Sequence, residues 1–398
     1  MKKLAPYRDF CDQRKAAHQF RTLRHTAPQA DGHAKRDGKD LINFAGNDYL
    51  GLSHHPALIE KAREYAEHYG AGSTASRLVT GNIPAYAEIE MRLAEGKGCQ
   101  SALVMNSGYQ ANMTVLAALA DSEVIGRSVT VLADRLCHNS LLQGITLSGS
   151  RLMRFKHNDY DHLDELLKQQ CEKGAAPIIV SESVFSMDGD RADLGALIAL
   201  ANRYDALLYI DEAHATGLFG PGGFGMAAEH KGEIDVVMGT FGKALGSFGA
   251  YIACNALLRD YLVQRCGGLI YSTALPPAVL GSMEAALELL PQLEKERAYL
   301  QAQSQRVRDA LQEQGWDCGL STTQIIPVIL GDEQAANTLS DTLRHAGILA
   351  PAIRPPTVPR GTSRLRLSLS AAHSVSDIDK LISMMATEAP RYMQSMAS

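Results

Sequence analysis

From about Leu41 to Cys254, short apolar runs alternate with stretches whose apolar residues return at helical spacing. The runs Ser101–Met105, Val129–Asp134, Leu152–Lys156, Pro177–Ser183, Ala206–Asp211, Ile234–Thr240 and Gly249–Cys254 read as strands. Residues 161–174 (DHLDELLKQQCEKG) and 193–205 (DLGALIALANRYD) read as helices between them. This alternation predicts an α/β fold: a mainly parallel sheet with helices on both faces. The run IIVSES (178–183) begins almost continuously apolar, as burial on both faces of a sheet requires. Such sheets bind ligands beyond the carboxyl ends of their strands, so the residues just after each run carry the chemical interest.

The flanks differ. Residues 5–25 space apolar side chains among Arg, Lys and Gln, a pattern that predicts an amphipathic helix. Residues 276–314 read as long helices. Strand 324–330 (QIIPVIL), helix 332–347, strands 348–354 and 363–370 (SRLRLSLS), and helix 374–389 follow as a compact α+β unit. The expected domains are an N-terminal helical segment (1–40), a large α/β domain (41–285), and a linker helix with a smaller C-terminal α+β domain (286–398).

Composition narrows the function classes. The chain has 398 residues, 21% of them charged, and a net charge of −5. With no basic excess, a nucleic acid or an anionic membrane is not the expected partner. Seven cysteines are dispersed without a CxxC pair, which points to reduced thiols and a cytoplasmic protein rather than a disulfide framework or a metal site. The N-terminus MKKLAPYRDFCDQRK has no apolar core of a signal peptide, and no run approaches the roughly 18 apolar residues of a membrane helix.

Several strand ends carry polar residues. ALLYID ends at Asp211, with His214 three residues on. IDVVMGTFGKALG places Lys243 behind a buried strand among small residues, where loss of solvation frees an amine for imine chemistry. A lysine, an acid, an aromatic ring and phosphate donors are what pyridoxal phosphate (PLP) requires of a protein. Lys243 is the candidate imine lysine and Asp211 the acid at the ring nitrogen. His138 (DRLCHNSLL) is the candidate stacking ring and His214 a donor to the phenolic oxygen. In SALVMNSGYQAN a strand turns at Ser107-Gly108 into a helix, whose first N–H groups suit a phosphate. Thr240 adds a hydroxyl, and Glu182 and Ser186 end another strand. The plain alternatives are a solvent-reaching Lys243, a helix-capping His138, local turn bonding for Glu182 and Ser186, and Arg364 and Arg366 on a solvent face of RLRLSLS.

At these residues the sequence resembles the α-oxoamine synthase family of PLP enzymes, which have an aminotransferase-like fold. The anchors are NFAGNDYLGLSHHP (43–56), NSGYQAN (106–112), DRLCHNSL (134–141), ESVFSMDGD (182–190), IDEAHATGLFGPGGFG (210–225), GTFGKALG (239–246), YSTALPP (271–277) and RLRLSLSAAH (364–373). The resemblance implies condensation of an amino acid with an acyl thioester and loss of the amino acid's carboxylate as CO2. It implies the Schiff-base lysine and proton-transfer base at Lys243, the pyridinium partner at Asp211, the stacking ring at His138 and the phenolic-oxygen contacts at His214 and Ser186. It further implies phosphate donors at Gly108, Tyr109 and Thr240, with one from Thr273 of a second subunit, hence a homodimer with shared active sites. Arg366 fits an amino-acid carboxylate clamp, Arg21 and Arg354 fit a further carboxylate, and Asn47 lies near the substrate. The run AIRPPTVPRGTSRLRLSLSAAH (352–373), with GNDYLGLSHHP and KHNDYDHL (156–163), implies the branch that joins L-alanine to a pimeloyl thioester in biotin biosynthesis. Glycine with an acetyl or succinyl thioester, and serine with a palmitoyl thioester, are the alternative substrate pairs. One departure concerns the loop GAGSTASRLVTGN (70–82), where Thr74-Ala75 replaces a Gly-Gly pair of much of the family. A cofactor-free binding subunit is the non-enzymatic alternative.

Overall fold

The computed structural model describes residues 2–17 and 19–396. The chain divides into two compact units, Asn47–Ser186 with Asp190–Arg297, and Met1–Gly46 with Met187–Gly189 and Ala298–Ser398. Sequence boundaries at 40 and 285 thus compare with divisions at 46 and 297 in the structure. The early residues belong with the late ones because Lys39–Asn43 pairs in parallel with Ile348–Leu349.

The larger unit holds a seven-stranded sheet: β1 (Ser101–Met105), β2 (Val129–Asp134), β3 (Arg151–Phe155), β4 (Ala176–Glu182), β5 (Leu207–Asp211), β6 (Val236–Thr240) and β7 (Ala250–Cys254). Their order is β1-β7-β6-β5-β4-β2-β3. Strands β2 to β6 are mutually parallel, whereas β7 runs antiparallel to both β6 and β1. The reversal has a simple cause: the chain between Thr240 and Ala250 is too short for a parallel crossover, which needs about a dozen residues or more. Each strand read from the sequence is present. Every residue of β2 and β4 is buried, as a sheet covered on both faces demands.

Helices α1 (Gly108–Leu119), α2 (Asn139–Ser148), α3 (Tyr160–Glu172) and α4 (Leu194–Tyr204) each start on a side chain that accepts a first-turn N–H: Ser107, His138, Asp159 and Asp193. Those caps place α1 and α2 directly after the carboxyl ends of β1 and β2, and that is where the site forms.

The smaller unit has a three-stranded sheet of Ile325–Gly331, Ser363–Ser368 and Ala352–Ile353. Two sequence expectations change here. The single strand 348–354 is two strands in two sheets, because Pro351 has no N–H for a ladder: Ile348–Leu349 joins Lys39–Asn43, and Ala352–Ile353 joins Ser363–Ser368. The helix expected over 5–25 spans only Ala5–Ala16. It buries no residue, and a short helix without packing has little to extend it. The long helices of 276–314 appear as Pro277–Leu289 and Glu294–Glu313, broken at the 3-10 turn Leu290–Gln292 by Pro291. Among the described residues no helix is long and apolar enough to cross a membrane.

Candidate active site

A cavity of about 200 Å³ opens at the carboxyl ends of the parallel strands, wholly within the larger unit. Glu182 and Asp211 end β4 and β5 and lie opposite each other in register. Thr240 ends β6, Gly108 and Tyr109 begin α1, and His138 and Ser140 begin α2. Ala213, His214, Met238, Asn112 and Lys243 complete the lining. Residues far apart in sequence meet here because parallel connections return every strand end to the same edge.

Lys243 is half-buried, with Nζ 2.7 Å from His214 Nε2. His214 Nδ1 stands 2.7 Å from Tyr49 Oη, and Tyr49 donates to Asn47 Oδ1 at 3.1 Å. In this arrangement His214 Nδ1–H donates to the Tyr49 oxygen and Nε2 accepts from the lysine. The chain's own imidazole therefore holds the amine in place inside the cavity.

The two carboxyls differ. Asp211 is 4% exposed, and both its oxygens accept N–H groups: Oδ1 from Ala213 at 2.8 Å and Oδ2 from Asn112 Nδ2 at 2.7 Å. Glu182 is 2% exposed, and its carboxyl accepts the His138 N–H. Burial, reinforced by the charge of Asp211, pushes the Glu182 carboxyl well above its usual range. Burial therefore disfavours a second charge beside Asp211.

His138 does what the capping alternative foresaw, since Nδ1 accepts the Ser140 N–H at 3.2 Å. Its ring also lines the cavity, so capping and a cofactor contact do not compete. Burial pulls its pKa below the ordinary histidine value. The Thr240 hydroxyl donates to the Gly249 carbonyl at 2.8 Å and accepts the Gly242 N–H at 3.1 Å. Its one proton is already used, so donation to a phosphate requires the hydroxyl to turn from Gly249. Gly108 and Tyr109 lie in the first turn of α1, where N–H groups have no partner within the helix.

Other residues read from the sequence fall elsewhere. Ser186 is buried but does not line the cavity. Thr273 is exposed, and its carbonyl accepts from Asn106 Nδ2 at 2.7 Å. Arg21, Arg354 and Arg366 belong to the smaller unit. There the solvent-facing alternative for RLRLSLS is overturned. Arg364 and Arg366 are 4% and 5% exposed, with Arg364 paired to Asp188 at 2.6 Å and Arg366 Nη1 donating to Ser368 Oγ at 2.6 Å. Arg21 is exposed and donates to Thr357 Oγ1 at 3.2 Å. The departure at Thr74 has a backbone consequence: this residue sits at φ +56°, a left-handed position where glycine is the natural occupant.

Sequence reading missed Asn112, Ser140 and Tyr49. A signal existed for Asn112, a polar residue one helical turn after Gly108 and so on the same face of α1.

Residues 39–385 match the family model described as aminotransferase class I and II, and the chain belongs to this family. The resemblance to α-oxoamine synthases read from the motifs stands. A protein of Magnetococcus marinus, provisionally named an 8-amino-7-oxononanoate synthase, is 55% identical over 98% of this chain and 97% of its own. The 8-amino-7-oxononanoate synthase of Gluconacetobacter diazotrophicus is 52% identical over 88% of each. A solved structure of SPT (serine palmitoyltransferase) with PLP is 28% identical, covers 98% of both chains and superposes with a TM-score of 0.90.

Proposed function

We propose that this chain is a PLP-dependent acyltransferase that condenses L-alanine with a pimeloyl thioester, giving 8-amino-7-oxononanoate, CO2 and the free thiol in biotin biosynthesis. The observation that carries this reading is 52% identity to a named 8-amino-7-oxononanoate synthase, in a chain whose strand ends assemble a lysine, an acid and two histidines around one cavity. The residues present fit the cofactor. Gly108 has an ordinary φ, and a Cβ built there would meet no protein atom closer than Met238 Cε at 3.7 Å. The chain's own packing does not require glycine at that position; the space it leaves belongs to the cavity.

Lys243 would hold PLP through Nζ, Asp211 would face the ring nitrogen, His138 would lie on the ring face, and His214 would reach the phenolic oxygen. Gly108, Tyr109 and Thr240 would hold the phosphate, with Glu182 ordering His138 and Ser186 nearby. Once bound, PLP supplies an electron sink for the bond at the amino acid's α-carbon. The work of the chain is to position and to move protons. Lys243 Nζ, once a free amine again, takes the Cα proton of alanine as general base, and His214 keeps that amine aimed. Arg366 clamps the amino-acid carboxylate until it leaves as CO2, Arg21 and Arg354 bind the distal carboxylate of the acyl chain, and Asn47 lies beside the substrate. The Asp211 carboxylate, oriented by two N–H donors, would favour a protonated ring nitrogen. Thr273 would act from a second subunit, making the enzyme a homodimer, and the seven free cysteines suit the cytoplasm.

The test is product identification by mass spectrometry after incubation with pimeloyl thioesters of coenzyme A and of carrier protein. Each thioester is paired with alanine, glycine or serine. The expected product is 8-amino-7-oxononanoate from alanine. Turnover with glycine or serine but not alanine would overturn the substrate assignment while leaving the PLP assignment standing.

A further inference from the structure

Asn112 sits one turn into α1, 1% exposed, and uses every polar atom of its side chain. Its Oδ1 accepts the Tyr209 hydroxyl at 2.7 Å. Its Nδ2 donates to Asp211 Oδ2 at 2.7 Å and to Ser140 Oγ at 2.9 Å. Tyr209 and Asp211 lie two apart on β5, so they share a face of the sheet and reach the same amide.

The direction of this network is determined. Tyr209 is fully buried, and burial, with the Asp211 charge second, keeps its phenol protonated far above its ordinary range. It therefore donates, and the amide oxygen turns to it. The opposite amide orientation would set Oδ1 against the Asp211 carboxylate. With both amide protons committed, Ser140 Oγ accepts from Asn112 and sends its own proton onward. The receiver is His138 Nδ1, 2.7 Å away, which also accepts the Ser140 N–H. Nδ1 is then bare and Nε2 carries the proton.

We propose that Asn112, oriented by Tyr209, is a positioning residue that through one amide orients the Asp211 carboxylate and biases His138 toward its Nε2–H tautomer. The inference rests on the PLP reading for its purpose, because Asp211 and His138 are the groups assigned to the ring nitrogen and the ring face. Its hydrogen-bond logic stands without the cofactor.

The experiment measures the full-length protein and the variants N112L, Y209F and S140A. Nitrogen-15 NMR of histidine-labelled protein, before and after loading with PLP, reads the His138 tautomer. A titration with PLP reads affinity. Wild type should show a single Nε2–H tautomer at His138. S140A, which leaves Nδ1 only the longer bond from the Ser140 N–H at 3.2 Å, and N112L, which frees the Ser140 hydroxyl to turn, should shift the balance toward Nδ1–H. N112L should bind PLP about tenfold more weakly or worse, the order expected for loss of one hydrogen bond to a charged group. Y209F keeps the side chain's shape and should move both readouts in the same direction by less; with S140A it decides the matter if N112L fails to fold. An S140A spectrum identical to wild type, or unchanged PLP affinity in N112L or, where that variant does not fold, in Y209F, overturns the proposal. A wild-type protein that takes up no PLP refutes the functional reading instead, and the tautomer measurement on the unloaded chain still decides this one.

Discussion

Glu182 and Asp211 end neighbouring strands in register, yet hydrogen bonding separates their fates. Asp211 accepts two N–H donors, whereas burial raises Glu182 well above the usual carboxyl range. Burial thus favours the protonated form of Glu182, and a protonated carboxyl is closely imitated by an amide. E182Q should keep kcat/KM within about tenfold of wild type, whereas E182A, which leaves the buried His138 N–H without its acceptor, should lose about a hundredfold or more. A large loss in E182Q, read by steady-state kinetics, would mean that the residue works as an anion. Lys243→Ala should abolish turnover, the cofactor's covalent link and its absorbance band in a protein that still folds; wild-type turnover would remove Lys243 from the chemistry. At this scale the sequence was informative about single groups and silent about the bonds between them. Lys243, Asp211, His138 and His214 stand at strand ends, where a local pattern locates them. The bond from Asn112 to Asp211 spans 99 positions, and no local pattern encodes it.

The elements were legible where burial enforced a period. All seven strands of the large sheet announced themselves, six because burial demands apolar residues, whereas the edge strand β3 (Arg151–Phe155) buries only Phe155. Pattern failed where packing was thin or proline intervened, as in the unburied helix Ala5–Ala16 and the strand divided at Pro351. The loop at 70–82 shows a third limit, because φ is invisible in a sequence. Thr74 is held left-handed by anchors on both sides: Ser73 Oγ donates to the Leu275 carbonyl at 2.5 Å, and the Ala75 carbonyl accepts the Ala274 N–H at 2.9 Å. A non-glycine residue in this conformation costs roughly 1–2 kcal/mol. Glycine removes that cost but adds roughly 0.5–1 kcal/mol of unfolded-chain entropy. T74G is therefore expected to stabilise the protein by about 0.5–1 kcal/mol in denaturant unfolding, net of the two effects. A clear loss of stability would show that the threonine side chain contributes more than its backbone strain costs.

For the whole molecule, each unit contains a histidine whose pKa departs far from the ordinary value, and these two depart in opposite directions. In the larger unit His157 lies 3.0 Å from Asp134 and 2.7 Å from Asp190. Burial alone would lower its pKa, but the hydrogen bonds and charges of both aspartates outweigh burial and raise it to about 10. In the smaller unit His373 accepts the Ser370 N–H at Nδ1 and lies against the Asn43 carbonyl through Nε2, a neutral arrangement, and burial lowers its pKa to about 4. An unfolded histidine titrates near about 6.5. A raised folded pKa gives stability that is complete below about pH 6.5 and drains away as pH climbs toward 10. A lowered folded pKa means the unfolded chain binds the extra proton first, so stability falls as pH drops from about 6.5 toward 4. Together the two histidines place the stability maximum near the unfolded value, with one unit responsible for each limb. Denaturant midpoints measured between pH 4 and 10 should show this dome. H157Q should flatten the alkaline limb and leave the acid limb, while H373Q should do the reverse. The comparison with variants matters because buried thiols such as Cys137, whose ionisation burial also opposes, lower stability at high pH in every form of the protein. If the alkaline limb of H157Q matches that of wild type, those thiols rather than the imidazolium between Asp134 and Asp190 govern the larger unit at high pH.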